Sequence, residues 1–280
     1  QVGAIRSNAI YTLLEEGDDI WMGGDYGIRV YHRRTGQSSR LIATTRYGVT
    51  VNSTVTRLIH GSHARVWIAT RGQGLFVYDP RSGRLYQDSR HGAFIEDLLA
   101  DTDGRMWAVS NDGRLSAFAA NGKFLGTAAI PGFVNNKMQL CLARTGRTLW
   151  VGCPQGLYGY DKATRRFSPL TLRHAEGFGN INAMLSLGRG GMLLATNRGL
   201  LVCRLSTGDC RPMAGGGQLS DNLIHALMRD AAGTLWVMYQ MNAHMMPTHE
   251  SAPAVSQPAA AEVLVSGARI RSEEHTSELQ

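Results

Sequence analysis

Lysine is almost missing from this 280-residue chain: Lys123, Lys137 and Lys162 stand alone, and arginine carries nearly all of the positive charge. The arginines are spread along the whole length, which argues against nucleic-acid binding, where basic residues gather on one helix or stripe. Long apolar runs are missing too. No stretch reaches the roughly 18 apolar residues a membrane helix needs, and no basic-then-apolar leader opens the chain. Because the first residue is Gln1 and not a methionine, that lack says nothing about export. Common catalytic signatures are absent as well: there is no G-x-S-x-G elbow, P-loop, H-E-x-x-H helix or three-glycine dinucleotide fingerprint, so neither an enzyme nor a cofactor is expected. Sustained i, i+3, i+4 apolar spacing is lacking, which nearly excludes helices. With 43% hydrophobic residues and a mean hydropathy of -0.17, the composition is that of a soluble globular chain able to bury a large core.

What is present is a repeat. Trp21, Trp67, Trp107, Trp150, Leu193 and Trp236 follow one another at spacings of 46, 40, 43, 43 and 43 residues. Five of these positions are followed by a glycine (Gly27, Gly74, Gly113, Gly156, Gly199) and then by an apolar run closing on Tyr31, Tyr78, Phe118, Tyr160 or Cys203. A further glycine turn comes next in four of them, at Gly36, Gly83, Gly122 and Gly208. Each unit therefore predicts four strands joined by turns, an antiparallel meander. One such sheet cannot bury both faces, so copies must stack face to face around an axis. The expected fold is all-β: an incomplete β-propeller of about six visible repeats, with the tryptophans filling the gaps between blades. It should occupy residues 1–246, its last blade losing the glycine and tyrosine positions after Trp236. A Pro- and Ala-rich linker is expected at 247–261. Residues 271–280, RSEEHTSELQ, read as a translated sequencing adaptor. Setting aside its one arginine and three glutamates raises the net charge from +7 to +9, so the basic balance is real.

The smaller motifs read mostly as turns. Asp101-Thr102-Asp103-Gly104 lacks the downstream glutamate of a calcium loop, His60 and His63 have no further ligands, and Gly215–Gly217 has no strand-to-helix junction for phosphate. No metal site is expected. Cys203 and Cys210 flank the Ser206-Thr207-Gly208 turn at facing hairpin positions, where either a disulfide or a pair of buried thiols fits. Cys141 and Cys153 are expected to be free.

In a propeller, the loops entering each blade and those between its second and third strands gather at one end of the central channel, where ligands usually bind. The candidates there are Tyr26, Tyr47, Arg71, His91, Asn111, Gln155 and Arg198. Rings, amides and arginines together suit a sugar, a peptide or an acidic small molecule. Arg71 and Arg198 follow equivalent Ala-Thr strand ends and are expected to point toward the same end. Two other readings stay open. A lyase or hydrolase would need a His, Tyr or carboxylate cluster at the channel mouth, and a protein-interaction scaffold would need an apolar patch on the rim.

Segments such as NSTVTRLIHGSHARVWIATRGQGLFVYDPRSGRL and NKMQLCLARTGRTLWVGCPQGLYGYDKATRRF resemble the two-component-regulator propeller repeat over roughly Asn8 to Trp236. The segment AEVLVSGARI at 261–270 resembles the entry strand of the Ig-like domain that follows in that family, whose start is expected at 262–270. The resemblance implies a periplasmic sensor region of an inner-membrane receptor. It also implies a membrane helix and a histidine kinase or diguanylate cyclase further on, with a homodimer as one assembly of the intact receptor.

Overall fold

The computed structural model describes residues 9–135, 140–213, 223–229, 233–240 and 265–267. The linker, the adaptor-like tail and the Gly215–Gly217 run lie outside them. The chain forms successive antiparallel meanders whose strands neighbour one another in sequence order. The first sheet holds β1 (Ile10–Glu16), β2 (Asp19–Gly24), β3 (Gly27–His32) and β4 (Gln37–Arg40). The second holds β5 (Thr54–His60), β6 (Val66–Arg71), β7 (Leu75–Asp79) and β8 (Arg84–Asp88). The third holds β9 (Ile95–Ala100), β10 (Met106–Ser110), β11 (Arg114–Phe118) and β12 (Phe124–Ala129). In the fourth are β13 (Cys141–Thr145), β14 (Thr148–Cys153), β15 (Gly156–Asp161) and β16 (Arg166–Leu170). In the fifth are β17 (Ile181–Gly188), β18 (Gly191–Thr196), β19 (Gly199–Arg204) and β20 (Cys210–Pro212). The sixth contains β21 (Leu223–Arg229), β22 (Leu235–Gln240) and β23 (Val265–Gly267). The described part of the segment resembling an Ig-like entry strand thus forms β23, paired with β22.

The chain divides into two compact units, Gln1–Val151 with Tyr160–Ser168, and Gly152–Gly159 with Pro169–Gln280. Within the first unit, strand register explains the packing. Trp21 stands opposite both Leu14 and Val30, so these side chains share one face, and that face buries against Leu58, Ile68 and Phe76 of the second sheet. The Trp21 ring meets the Tyr78 ring at 5.1 Å, Trp67 meets Phe118 at 5.9 Å and Trp107 meets Tyr160 at 5.6 Å. Each ring from the second strand of one sheet therefore packs on the ring closing the third strand of the next. Burying roughly 150–250 Å² per ring at about 25 cal/mol per Å² is worth on the order of 4–6 kcal/mol before entropy. In the second unit Leu193 takes the tryptophan's place and packs with Ile224, Leu235 and Val237. Trp150 differs from Trp21, Trp67 and Trp107 in being half-buried; its indole N–H donates to Thr145 Oγ1 at 2.7 Å, which holds the ring beside the β13–β14 turn.

The β1–β2 and equivalent turns lie at one end of each sheet, and here the first unit buries charge. The Asp101 side chain is fully enclosed and accepts from Lys162 Nζ at 2.7 Å and Trp107 Nε1 at 3.1 Å, with Arg144 at 3.5 Å. Burial opposes its ionisation, but the bonds from Lys162 and Trp107 outweigh it and hold the carboxyl below its ordinary range. In the second sheet Gly61 occupies the place of Asp101, as both open a turn closed by the same backbone bond to Arg65 or Arg105. Trp67 Nε1 there is buried with no acceptor, and a Cβ at Gly61 would collide with it. Only glycine fits. Cys203 and Cys210 are cross-strand partners on β19 and β20 and form a disulfide, while Cys141 and Cys153 are buried and free.

Candidate functional site

The opposite end of the sheets, where each innermost strand begins, is built differently. Every innermost strand whose register is described carries a β-bulge at the same step. In the first unit the residues bulged out of the register are Tyr11, Thr56 and Glu96; in the second they are Asn182 and His225. A bulge turns one side chain out of the ladder. Here it presents five polar or aromatic side chains at a position that strict alternation would not give them.

Within the first unit these residues join the turns between second and third strands. The Tyr11 hydroxyl donates to Asp25 Oδ1 at 2.9 Å, next to Tyr26. Burial, then that bond, raises the phenol above its ordinary pKa, and the nearby Arg71 charge opposes the rise. Glu96 is almost fully buried and accepts from Arg71 through two bonds, Nη2 at 2.7 Å and Nε at 3.2 Å. Arg71 also bridges to Phe94 through the backbone, and the Asn111 N–H donates to Phe94 O at 2.9 Å. Thr56 Oγ1 donates to Ile95 O at 2.7 Å. One residue past Glu96, Asp97 accepts the Leu142 N–H at 2.8 Å and faces Arg57 at 3.4 Å; burial pushes its carboxyl up despite both. Above this lattice the rings of Tyr11, Tyr26 and Phe94 are 49%, 69% and 45% exposed; Tyr47 is not among them, because it follows Thr44, whose carbonyl accepts the Leu85 amide toward the short-turn end of the second sheet. Single exposed rings are ordinary, but three at one end are a surface on which a flat ligand can stack.

The sequence-predicted residues fare unequally. Arg71 and Asn111 are brought together through Phe94. Tyr26 lies beside Asp25 and lines a cleft of about 590 Å³ with Arg29, Arg40 and Asn52. Tyr47 is exposed and has the Arg46 guanidinium over its ring at 4.5 Å. His91 is drawn into packing instead: its ring stacks on Phe124 at 3.5 Å and its Nδ1 bonds Asp88 at 3.0 Å. Burial works against the Asp88 charge, yet the His91 bond and the Arg90 amide keep its carboxyl below the usual range. Gln155 and Arg198 are exposed in the second unit. There Asn182 donates to Asn197 Oδ1 at 3.0 Å and to Ile224 O at 2.9 Å. The Ala-Thr strand ends are equivalent locally, since Thr70 donates to Gly74 O at 2.7 Å and Thr196 to Gly199 O at 2.8 Å. Tyr11, Thr56, Glu96 and Phe94 were not singled out from the sequence. The available signal was a polar or aromatic residue breaking the apolar alternation just inside each innermost strand.

No family model matches this sequence, and no curated protein does. Solved structures do. The extracellular domain assigned to the one-component system BT4673 of B. thetaiotaomicron superposes with a TM-score of 0.64 at 22% identity, over 85% of this chain and 33% of that one. The extracellular domain assigned to the hybrid two-component system BT3049 of the same organism gives 0.64 at 17% identity, over 84% and 33%. A computationally designed protein, Ika8, gives 0.55 at 18%, over 82% and 67%.

The fold is a β-propeller.

It is shared with extracellular domains of bacterial signalling systems, of whose length this chain spans about a third. In propeller terms each sheet is a blade and the bulged strands are the innermost ones. The end bearing Tyr11, Asp25, Tyr26, Arg71 and Glu96 is then where blade-entry loops converge. None of the described residues forms a cluster of three or more His, Cys, Asp or Glu side chains fit to hold a metal ion.

Proposed function

We propose that this propeller is the ligand-sensing part of the periplasmic region of a bacterial signalling receptor, relaying binding to a kinase or cyclase carried elsewhere in the parent protein. The observation that carries the reading is the asymmetry of the first unit. Exposed rings and hydrogen-bonding side chains collect at the bulged end, on a rigid lattice of β-strands. The Cys203–Cys210 disulfide suits an oxidising compartment, which supports a periplasmic setting. The fold shared with extracellular signalling domains supports the receptor role.

The ligand class follows from the charges. Arg71, which would otherwise grip a ligand carboxylate, is already held by Glu96, and Asp25 accepts from Tyr11. The end therefore offers carboxylate and amide groups to hydroxyl donors, with Tyr11 and Tyr26 as stacking surfaces. A neutral, hydroxyl-rich molecule such as an oligosaccharide fits these groups better than an anion. The test is a thermal-shift screen of neutral against acidic saccharides, followed by titration calorimetry of any hit. Stabilisation by neutral saccharides that is lost in Tyr26→Ala supports the reading. Binding of acidic saccharides alone, or binding indifferent to Tyr26, overturns it.

A further inference from the structure

Strand register in the first blade brings three chemically complementary side chains to one place. Asp19 on β2 stands opposite His32 on β3, and Val30, two residues before His32, stands opposite Ser39 on β4. Opposite and alternate residues share a face, so all three project from the face that carries Trp21, toward the second blade. The His32 Nδ1 lies 3.0 Å from Asp19 Oδ1, and its Nε2 lies 3.0 Å from Ser39 Oγ. A carboxylate only accepts, so Nδ1 carries the proton of the neutral ring and donates to Asp19, which leaves Nε2 to accept from the Ser39 hydroxyl. Acid, imidazole and hydroxyl thus stand in the order in which a base removes the proton of a nucleophile.

The repeat itself does not ask for this trio. At the positions of Asp19, His32 and Ser39 the second blade has Arg65, Asp79 and Tyr86, and the third has Arg105, Ala119 and Gly126. In the second blade the first two form an ion pair at 3.6 Å that ties neighbouring strands. A tie is all that the fold needs here, and His32 adds to it a base with a hydroxyl on its far nitrogen. Ser39 is exposed on β4, the edge strand of its sheet, so a substrate can reach its oxygen. The Leu41 N–H donates inward to Ile28 O at 3.0 Å. By strand alternation the Arg40 N–H, next to Ser39, therefore points out of the sheet edge, where it can donate to an oxyanion.

We propose that Ser39 is an activated nucleophile that hydrolyses small carboxylic esters, with His32 as its base and Asp19 as a positioning residue. Ser39 Oγ bonds to the ester carbonyl carbon as its proton passes to His32 Nε2. The carbon–oxygen bond to the alcohol then breaks, and the alcohol leaves with that proton. Water adds to the acyl carbon and gives a proton to Nε2; the bond to Oγ breaks, Oγ takes the proton back, and the acid is released. One backbone donor on an open surface limits the substrates to small esters with good leaving groups. None of Asp19, His32 and Ser39 lines the cleft beside Tyr26, and of Arg40 only the backbone takes part, so the proposal does not rest on the saccharide reading.

The test incubates the 280-residue chain with p-nitrophenyl acetate and, separately, with a fluorophosphonate, and locates the adducts by mass spectrometry. An acetyl or phosphonyl group is expected on Ser39, formed at least about tenfold more slowly in His32→Gln. Ser39→Ala should lose both the adduct and the ester hydrolysis. Asp19→Asn should slow labelling with the melting temperature unmoved, and Asp19→Glu should recover part of the rate, which a tie between strands would not do. All three side chains are at least partly exposed, so the variants are expected to fold. Labelling of the wild type decides the matter even where one of them does not. Adducts on a lysine or on His32 but not on Ser39, labelling equally fast in His32→Gln, or hydrolysis unchanged in Ser39→Ala would overturn the proposal, and the three side chains would then serve to tie strands.

Discussion

The two ends of the first unit are made from the same repeat and use their polar residues in opposite ways. At the end of the short turns, the Asp101 carboxylate and the Trp107 indole are enclosed, and Asp101 is bonded to Trp107 and Lys162 with the part-exposed Arg144 beside it. At the bulged end, Tyr11 and Tyr26 are exposed, and Arg71 stands part open to solvent over the buried Glu96. The difference teaches where selection for stability and freedom for binding lie in one scaffold. Enclosed charges tie blades together, because each is worth little alone but costs much to leave unpaired. Exposed rings on a rigid frame contribute little to folding and are available for a partner.

The largest effect that separates the ends should come from Asp101→Ala. Removing the carboxylate strands the Lys162 ammonium and the Trp107 N–H, and stability by urea unfolding should fall by about 3–5 kcal/mol. Ligand affinity of the protein that remains folded should not change. A loss below about 1 kcal/mol would mean that the cluster does not tie the blades.

Comparing the two neighbouring tryptophans sharpens this. Trp107 donates to Asp101, whereas Trp67 has no acceptor and faces Gly61. Phenylalanine removes the N–H in both cases with a similar loss of volume. Trp107→Phe should therefore cost about 1–3 kcal/mol more than Trp67→Phe, since only the former leaves a buried carboxylate short of a donor. Equal losses would show that ring volume alone governs the seam.

The two enclosed acids should also pull stability in opposite directions with pH. Asp101 is held below its ordinary pKa, so its contribution is present above the ordinary carboxylate value and is lost as pH falls through the lower, folded one. Asp97 is raised by burial, so stability falls as pH climbs from the ordinary value through the folded one. Denaturant midpoints across acidic pH should lose the first slope in Asp101→Asn and the second in Asp97→Asn. Unchanged profiles would reject both assignments.

Much of this organisation was legible in the sequence, and the reason is repetition. Spacing the tryptophans at about 43 residues fixes one meander per repeat, and the turn glycines fix its hairpins. The facing of Cys203 and Cys210 followed from the same register. What could not be read was whatever departs from strict alternation. A bulge shifts the ladder by one residue, so Tyr11, Thr56 and Glu96 looked like ordinary strand positions although they form the most distinctive part of the site. Pairing was also invisible: Arg71 read as an open cation until the fold put Glu96 beside it, and His91 read as a loop donor until Phe124 took its ring. Such contacts join residues far apart in the chain, which local pattern cannot supply.

The smallest effect on folding and the largest on binding are expected from the same variant, and measuring both is the most direct test of the account. For a saccharide identified by thermal shift, titration calorimetry and urea unfolding would be run on the wild type, Tyr26→Ala and, away from the bulged end, Tyr47→Ala and Arg65→Ala. The account predicts that each tyrosine change leaves stability within about 0.5 kcal/mol. Tyr26→Ala should weaken binding at least tenfold, about 1.4 kcal/mol, while Tyr47→Ala and Arg65→Ala leave affinity unchanged. Affinity lost in Arg65→Ala or Tyr47→Ala and kept in Tyr26→Ala would contradict it, placing the ligand at the end of the short turns.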